Sequence, residues 1–119
     1  MLVFIYCADR PGAAAVRARV RQQHLEYMLA NSDKLVFGGL LAALPGGRSG
    51  GSVYVLELPT VEAADDFVAH EPYYRAGVFD TVVTRPFRQM WPEPEPGALE
   101  SALQVERERL ASEDAGSEE

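Results

Sequence analysis

A chain of 119 residues, 47% of them hydrophobic, is long enough to bury one core and too short to hold a second catalytic domain. Its 18 acids outnumber its 11 bases unevenly: from Pro92 onward nine acids face only Arg107 and Arg109, while residues 1–91 carry nine of each sign. An acidic tail on a neutral body repels phosphate backbones, and no window approaches the roughly 18 apolar residues of a membrane span, so neither nucleic acid nor membrane is an expected partner.

Leu2-Val3-Phe4-Ile5-Tyr6-Cys7 is a β-rich apolar run closed by Asp9-Arg10-Pro11-Gly12, which reads as a strand, a turn and a helix start with Asp9 as N-cap. The run is too short for a signal-peptide core and lacks a basic start. Cys7 is the sole cysteine, with no disulfide partner and no metal-ligand spacing, which suits a reducing compartment; the expected location is cytoplasmic. A helix follows from about Ala13 to Ala30, with Val16, Val20, His24, Tyr27 and Met28 spaced by three and four and Arg17 and Arg21 beside that stripe. Lys34 to Ala43 reads as a strand interrupted at Gly38-Gly39, where another group can approach the backbone closely. The glycine-rich segment Pro45 to Gly51 is a hairpin connection, and Ser52 to Leu58 is the third strand. Pro59-Thr60 opens a second helix with Thr60 as N-cap and Val61, Ala64, Phe67 and Val68 on its apolar face; Pro72 stops it. Thr81 to Thr84 and Pro86 to Trp91 supply the last strand and its extension.

Strand, helix, strand, strand, helix, strand is the split βαβ order of a ferredoxin-like α+β sandwich. Two helices cover one face of that sheet, yet the first and third strands are apolar on nearly every residue. A second copy packed back to back with two-fold symmetry would cover the other face, so a homodimer is expected. The folded domain is expected over residues 1–91. Residues 92–119 read as a stiff Pro/Glu linker, a short helix carrying Leu99, Leu103 and Leu110, and an acidic disordered end from Ser112.

Histidine exchanges protons near neutral pH, and a neighbouring carboxylate fixes its tautomer. The candidate pair is His24 and Glu71, which meet only if the late first helix lies beside the end of the second; spacing leaves that open, together with a purely structural histidine. Ser52 follows two glycines, where bare backbone eases approach, and suits hydrogen bonding to substrate; without a G-x-S-x-G elbow it is not read as a nucleophile. Arg21, three residues before His24, can hold a substrate carboxylate, and Gly39 offers close backbone approach. His24 and His70 lack a second carboxylate cluster, so no metal is expected. No glycine motif opens a helix to cradle phosphates, and no cofactor is expected.

In order and spacing, the opening strand with Asp9, Arg21-x-x-His24-Leu25, Gly38-Gly39, Gly51-Ser52, Glu62-Ala63-Ala64, Glu71-Pro72-Tyr73, Ala76-Gly77-Val78-Phe79 and Arg85-Pro86-Phe87 resemble the YCII-related (YciI-like) family, over residues 1 to about 91. The resemblance implies a dimeric ferredoxin-like fold similar to the dimeric α/β barrels, with a histidine and an aspartate paired in a cleft. His24 takes the histidine position. Glu71 stands where the family motif has aspartate, so its carboxylate must sit about 1.5 Å further from the backbone or fold back. Members that resemble dehydrochlorinases and lactone isomerases imply proton abstraction or elimination on a small cyclic substrate. The expectation is a small cofactor-independent lyase or isomerase with His24 as general base, Glu71 orienting it, and Ser52, Arg21 and Gly39 binding the small-molecule ligand. The alternatives are a non-catalytic dimer that binds a small ligand or a protein, and a cofactor-free oxygenase on the same architecture.

Overall fold

The computed structural model describes residues 1–46 and 49–117. Residues 47 and 48 of the expected hairpin connection and residues 118 and 119 lie outside the described residues. The elements are β1 (Leu2–Asp9), α1 (Ala13–Ala30), β2 (Leu35–Leu41), β3 (Gly51–Glu57), α2 (Glu62–His70), α3 (Pro72–Arg75), β4 (Phe79–Phe87) and α4 (Ala98–Ser117). They form two compact units, Met1–Phe87 and Arg88–Glu119.

In the first unit, four antiparallel strands lie in the order β2-β3-β1-β4, the mixed α+β arrangement of a ferredoxin-like sheet. Although β1 is apolar on both sides, its burial alternates strictly, because successive side chains leave opposite faces of a strand. Val3, Ile5 and Cys7 are fully buried and pair in register with Leu56, Tyr54 and Ser52 of β3. Ala64, Phe67 and Val68 of α2 and Tyr73 of α3 pack onto that face, with Val16, Val20, Tyr27 and Met28 of α1 beside them. Burying each large side chain contributes roughly 1.5–3 kcal/mol before entropy is counted. On the opposite face Phe4 and Tyr6 are half-exposed, and Phe37 is 52% exposed.

A close backbone approach fixes one glycine. A Cβ on Gly51 would stand 2.2 Å from the Cys7 carbonyl oxygen, so only glycine lets β3 close on β1 at this point.

Several local expectations need correction. Asp9 is not the cap of α1: it stays in β1 paired with Phe79, its carboxylate is taken by Arg17, and Gly12 at φ +75° occupies the N-cap. Thr60 does accept a hydrogen bond from the Ala63 amide at 3.2 Å, although the helix proper begins at Glu62. Pro72 follows the end of α2 but also starts α3, where its missing N–H costs nothing. The last strand is continuous from Phe79 to Phe87 and runs through Pro86, which is tolerated because β4 is an edge strand. The first unit therefore ends at Phe87, four residues before the expected boundary at 91.

In the second unit, α4 extends to Ser117, past the expected disorder from Ser112. Arg109 there pairs with Glu106 and, four residues on, with Glu113, charge spacings that support a helix in water.

Candidate active site

The site forms where α1 and α3 meet over β3. Glu71 is the N-cap of α3, and its Oε1 accepts a hydrogen bond from the Tyr73 amide at 2.9 Å. The longer side chain thus folds back onto its own helix start, as a capping aspartate would. The fold brings His24 to it: His24 Nδ1 lies 3.0 Å from the same Oε1, and Tyr54 donates its hydroxyl to Oε2 at 3.0 Å. Glu71 is 1% exposed, a buried carboxylate whose two oxygens are both occupied.

This arrangement sets the imidazole. As a carboxylate Glu71 can only accept, so Oε1, which takes the Tyr73 amide, takes His24 as a second donor, and that pairing puts the ring proton on Nδ1. In the neutral ring Nε2 is then the basic nitrogen. It has no hydrogen bond to the described chain, yet no unpartnered buried side-chain nitrogen or oxygen is found there, so Nε2 is open to solvent. The ring also stacks on Tyr73, with centroids 4.0 Å apart and planes 17° from parallel. Burial and the adjacent Glu71 charge push the Tyr54 phenol well above its ordinary range, which keeps it a donor.

A second network adjoins the first. Arg17 Nε and Nη2 donate to the two Asp9 oxygens at 2.8 Å each, and Nη2 also donates to Ser52 Oγ at 2.9 Å. The guanidinium lies 4.6 Å from the Tyr73 ring centroid. Burial works to lower the Arg17 pKa, but the hydrogen bond and charge of Asp9 more than offset it, and the net shift is upward. Beneath both networks, burial and then the Glu71 charge push the Cys7 thiol up to about 12, so it is an inert core group.

The two networks wall a cavity of about 370 Å³ whose lining includes Arg17, Arg21, His24, Ser52, Tyr54 and Tyr73. Leu25, Met28, Leu35 and Leu40 supply its apolar side. Arg21 is exposed at this lining. Gly38 and Gly39 both line it, but register pairs Gly38 with Tyr54 on the helix-covered face, while a Cβ on Gly39 would meet open space. A Cβ on Gly38 would sit 3.0 Å from the Val53 carbonyl oxygen and 3.4 Å from Tyr54 Cδ1. His70 stands apart, with Nδ1 2.8 Å from the Asp66 carbonyl oxygen. Among the described residues no group of three His, Cys, Asp or Glu side chains could hold a metal ion. No helix among them is long and apolar enough to cross a membrane.

Sequence reasoning missed the parts played by Arg17, Asp9, Tyr54 and Tyr73. The signal for Arg17 was present, since it lies two helical turns before His24 on the same face, but its partner Asp9 sits across a strand-to-helix corner where no fixed spacing applies.

Fold and site together define a ferredoxin-like α+β domain with a histidine and carboxylate pair in the wall of a small cavity. The model of the YCII-related domain matches residues 1–88, and the chain belongs to that family. The YciI protein of Escherichia coli O6:H1 is 30% identical over 98 residues, spanning 76% of this chain and 100% of that one. Among solved structures, the 5-chloro-2-hydroxyhydroquinone dehydrochlorinase of Burkholderia phenoliruptrix, in complex with 2,5-dihydroxybenzoquinone, is 29% identical. It covers 78% of this chain and 99% of its own, with a TM-score of 0.69. SnoaB of Streptomyces nogalater, a cofactor-independent oxygenase, is 18% identical and shares the fold at a TM-score of 0.52, covering 77% of this chain and 97% of its own.

Proposed function

We propose that the protein is a small cofactor-independent enzyme of the lyase or isomerase type, acting by proton abstraction on a small cyclic substrate. His24 Nε2 is the general base, Glu71 orients the ring, and Ser52, Arg21 and the Gly39 backbone contact substrate polar groups. The observation that carries this reading is the 3.0 Å contact between Nδ1 of His24, a cavity-lining residue, and the buried Glu71, which leaves Nε2 without a partner in the described chain and so supports its role as base. In the elimination form, Nε2 takes a C–H proton beside a carbonyl, the C–H pair passes into an enolate, and as the C=O re-forms the new C=C double bond closes and chloride departs with the C–Cl pair. In the isomerisation form, His24 returns the proton to another carbon. The similarity to a dehydrochlorinase supports the first form.

The same reading includes a homodimer with back-to-back sheets closing an α/β barrel; it is supported by the apolar outer sheet face, where Phe37 and Leu41 are exposed. A cytoplasmic location is supported by the lone, unpaired and buried Cys7.

The test is chloride release from 5-chloro-2-hydroxyhydroquinone and double-bond migration in an enol-lactone, by wild type and His24→Ala. Loss of a general base should cost about 100-fold or more on whichever substrate turns over. No acceleration over buffer on either, or equal rates for the two proteins, overturns the reading.

A further inference from the structure

The Arg17 guanidinium has five N–H donors, and three are spent inside the protein: Nε on Asp9, and Nη2 on Asp9 and Ser52. Both N–H groups of Nη1 remain. The side chain is 14% exposed and lines the cavity, and no unpartnered buried nitrogen is found among the described residues, so this edge is accessible. The edge is also rigid. A two-pronged carboxylate contact fixes the plane at one end, and the Tyr73 and Phe79 rings lie 4.6 and 5.7 Å from Arg17 Cζ.

We propose that the Nη1 edge of Arg17 is the oxyanion-binding group of this cavity, taking the enolate or phenolate oxygen of a small planar substrate whose acidic C–H faces His24. The inference deepens the function proposed above and rests on the same cavity. Both groups contact Tyr73: the His24 ring stacks on it with centroids 4.0 Å apart and Arg17 Cζ lies 4.6 Å from the same centroid, so the His24 ring centre and Arg17 Cζ are no further apart than those two distances combined. Both also line the one cavity, whose volume of about 370 Å³ admits a small ring. When Nε2 removes the proton, the C–H electron pair forms a C=C bond to the adjacent carbonyl carbon, the C=O π pair moves to oxygen, and the negative charge ends there, where the Nη1 donors meet it.

Charge balance argues for an oxygen that gains charge during reaction. Asp9 formally neutralises Arg17, which weakens capture of a permanent anion, but the oriented N–H dipoles need no reorganisation and act in a site with an apolar wall. No Asp or Glu is among the cavity-lining residues to oppose the developing charge. Ser52 Oγ accepts from Arg17 Nη2 and so also helps to hold the guanidinium, beside its proposed contact with substrate.

The probe is 4-nitrophenol, whose phenolate absorbs visible light and whose ionisation on the protein is read without any turnover. Bound to wild type, its pKa should fall by one unit or more, a tenfold preference for phenolate over phenol. That preference should vanish in Arg17→Gln and persist in Arg19→Gln, an exposed arginine of α1 outside the cavity lining, each checked for folding by circular dichroism. Should Arg17→Gln leave Asp9 unpaired and unfold, the double variant Asp9→Asn with Arg17→Gln keeps a neutral hydrogen-bonding pair and must show the same loss. The proposal is overturned if wild-type protein does not bind the probe, binds phenol and phenolate equally, or keeps its preference without Arg17. It is equally overturned if the preference is lost in Arg19→Gln. Inactivity on the elimination and isomerisation substrates would leave this binding result standing, so the two readings fail separately.

Discussion

Removing the Tyr54 hydroxyl isolates one hydrogen bond of the buried network. In Tyr54→Phe the ring still packs between β1 and Phe67, whose centroid is 5.5 Å away, but Glu71 Oε2 loses the donor 3.0 Å from it. Glu71 is 1% and Tyr54 4% exposed, which leaves little room for water to replace the hydroxyl. A hydrogen bond to a buried charge contributes about 1.5–3 kcal/mol, so the variant should lose about 2–3 kcal/mol. For a domain of this size that is a fall of roughly 10–20 °C in Tm. Thermal unfolding followed by circular dichroism at fixed protein concentration measures it, and a double-mutant cycle with Glu71→Gln should return a coupling of about 1–3 kcal/mol. A loss under about 0.5 kcal/mol would refute the reasoning, because Oε2 would then have found another donor and the carboxylate would not be sealed.

Other outcomes follow from the same structure. The Cys7 thiol is pushed from 9.0 in the reference state to about 12 in the fold, so the unfolded chain releases this proton first as pH rises. Its contribution is fully present below pH 9 and is lost toward pH 12, by up to roughly 4 kcal/mol; across that window the urea midpoint should fall with pH in wild type and fall less in Cys7→Ala. Native Cys7 should also resist alkylation at pH 8 until the protein is denatured. Wild type should sediment as a dimer at micromolar concentration and Phe37→Glu, which puts a charge on the outer sheet face, as a monomer; a monomeric wild type contradicts the proposed assembly. Deleting residues 88–119 should leave the first unit folded with a Tm close to that of the full chain, since every side chain of the main core cluster lies within Met1–Phe87.

What the sequence made legible was periodic. The stripe of Val16, Val20, Tyr27 and Met28 marks the buried side of α1, whose ends fall where the spacing predicts them, and Ala64, Phe67 and Val68 mark that of α2. What it hid was conditional on tertiary contact. An aspartate just before a helix reads as a cap, and Asp9 escapes that role because Arg17 offers a two-pronged partner from the next element. A proline after a helix reads as a stop, whereas Pro72 also starts a new turn that Glu71 caps. That cap is the reason the longer carboxylate reaches His24: with its backbone extended at φ −69° and ψ 123°, Glu71 turns its side chain back over the Tyr73 amide. Tyr54 looked like one more apolar strand residue, because the alternation that buries a tyrosine ring says nothing of where its hydroxyl lands.

The central claim is that Glu71 holds His24 with its proton on Nδ1 and its basic Nε2 toward the cavity. Nitrogen-15 NMR of the neutral His24 ring, in wild type and in Glu71→Leu, reads this directly. The structure predicts an Nδ1–H tautomer in wild type and loss of that preference once the acceptor is gone. An Nε2–H tautomer in wild type, or the same tautomer in both proteins, would contradict it.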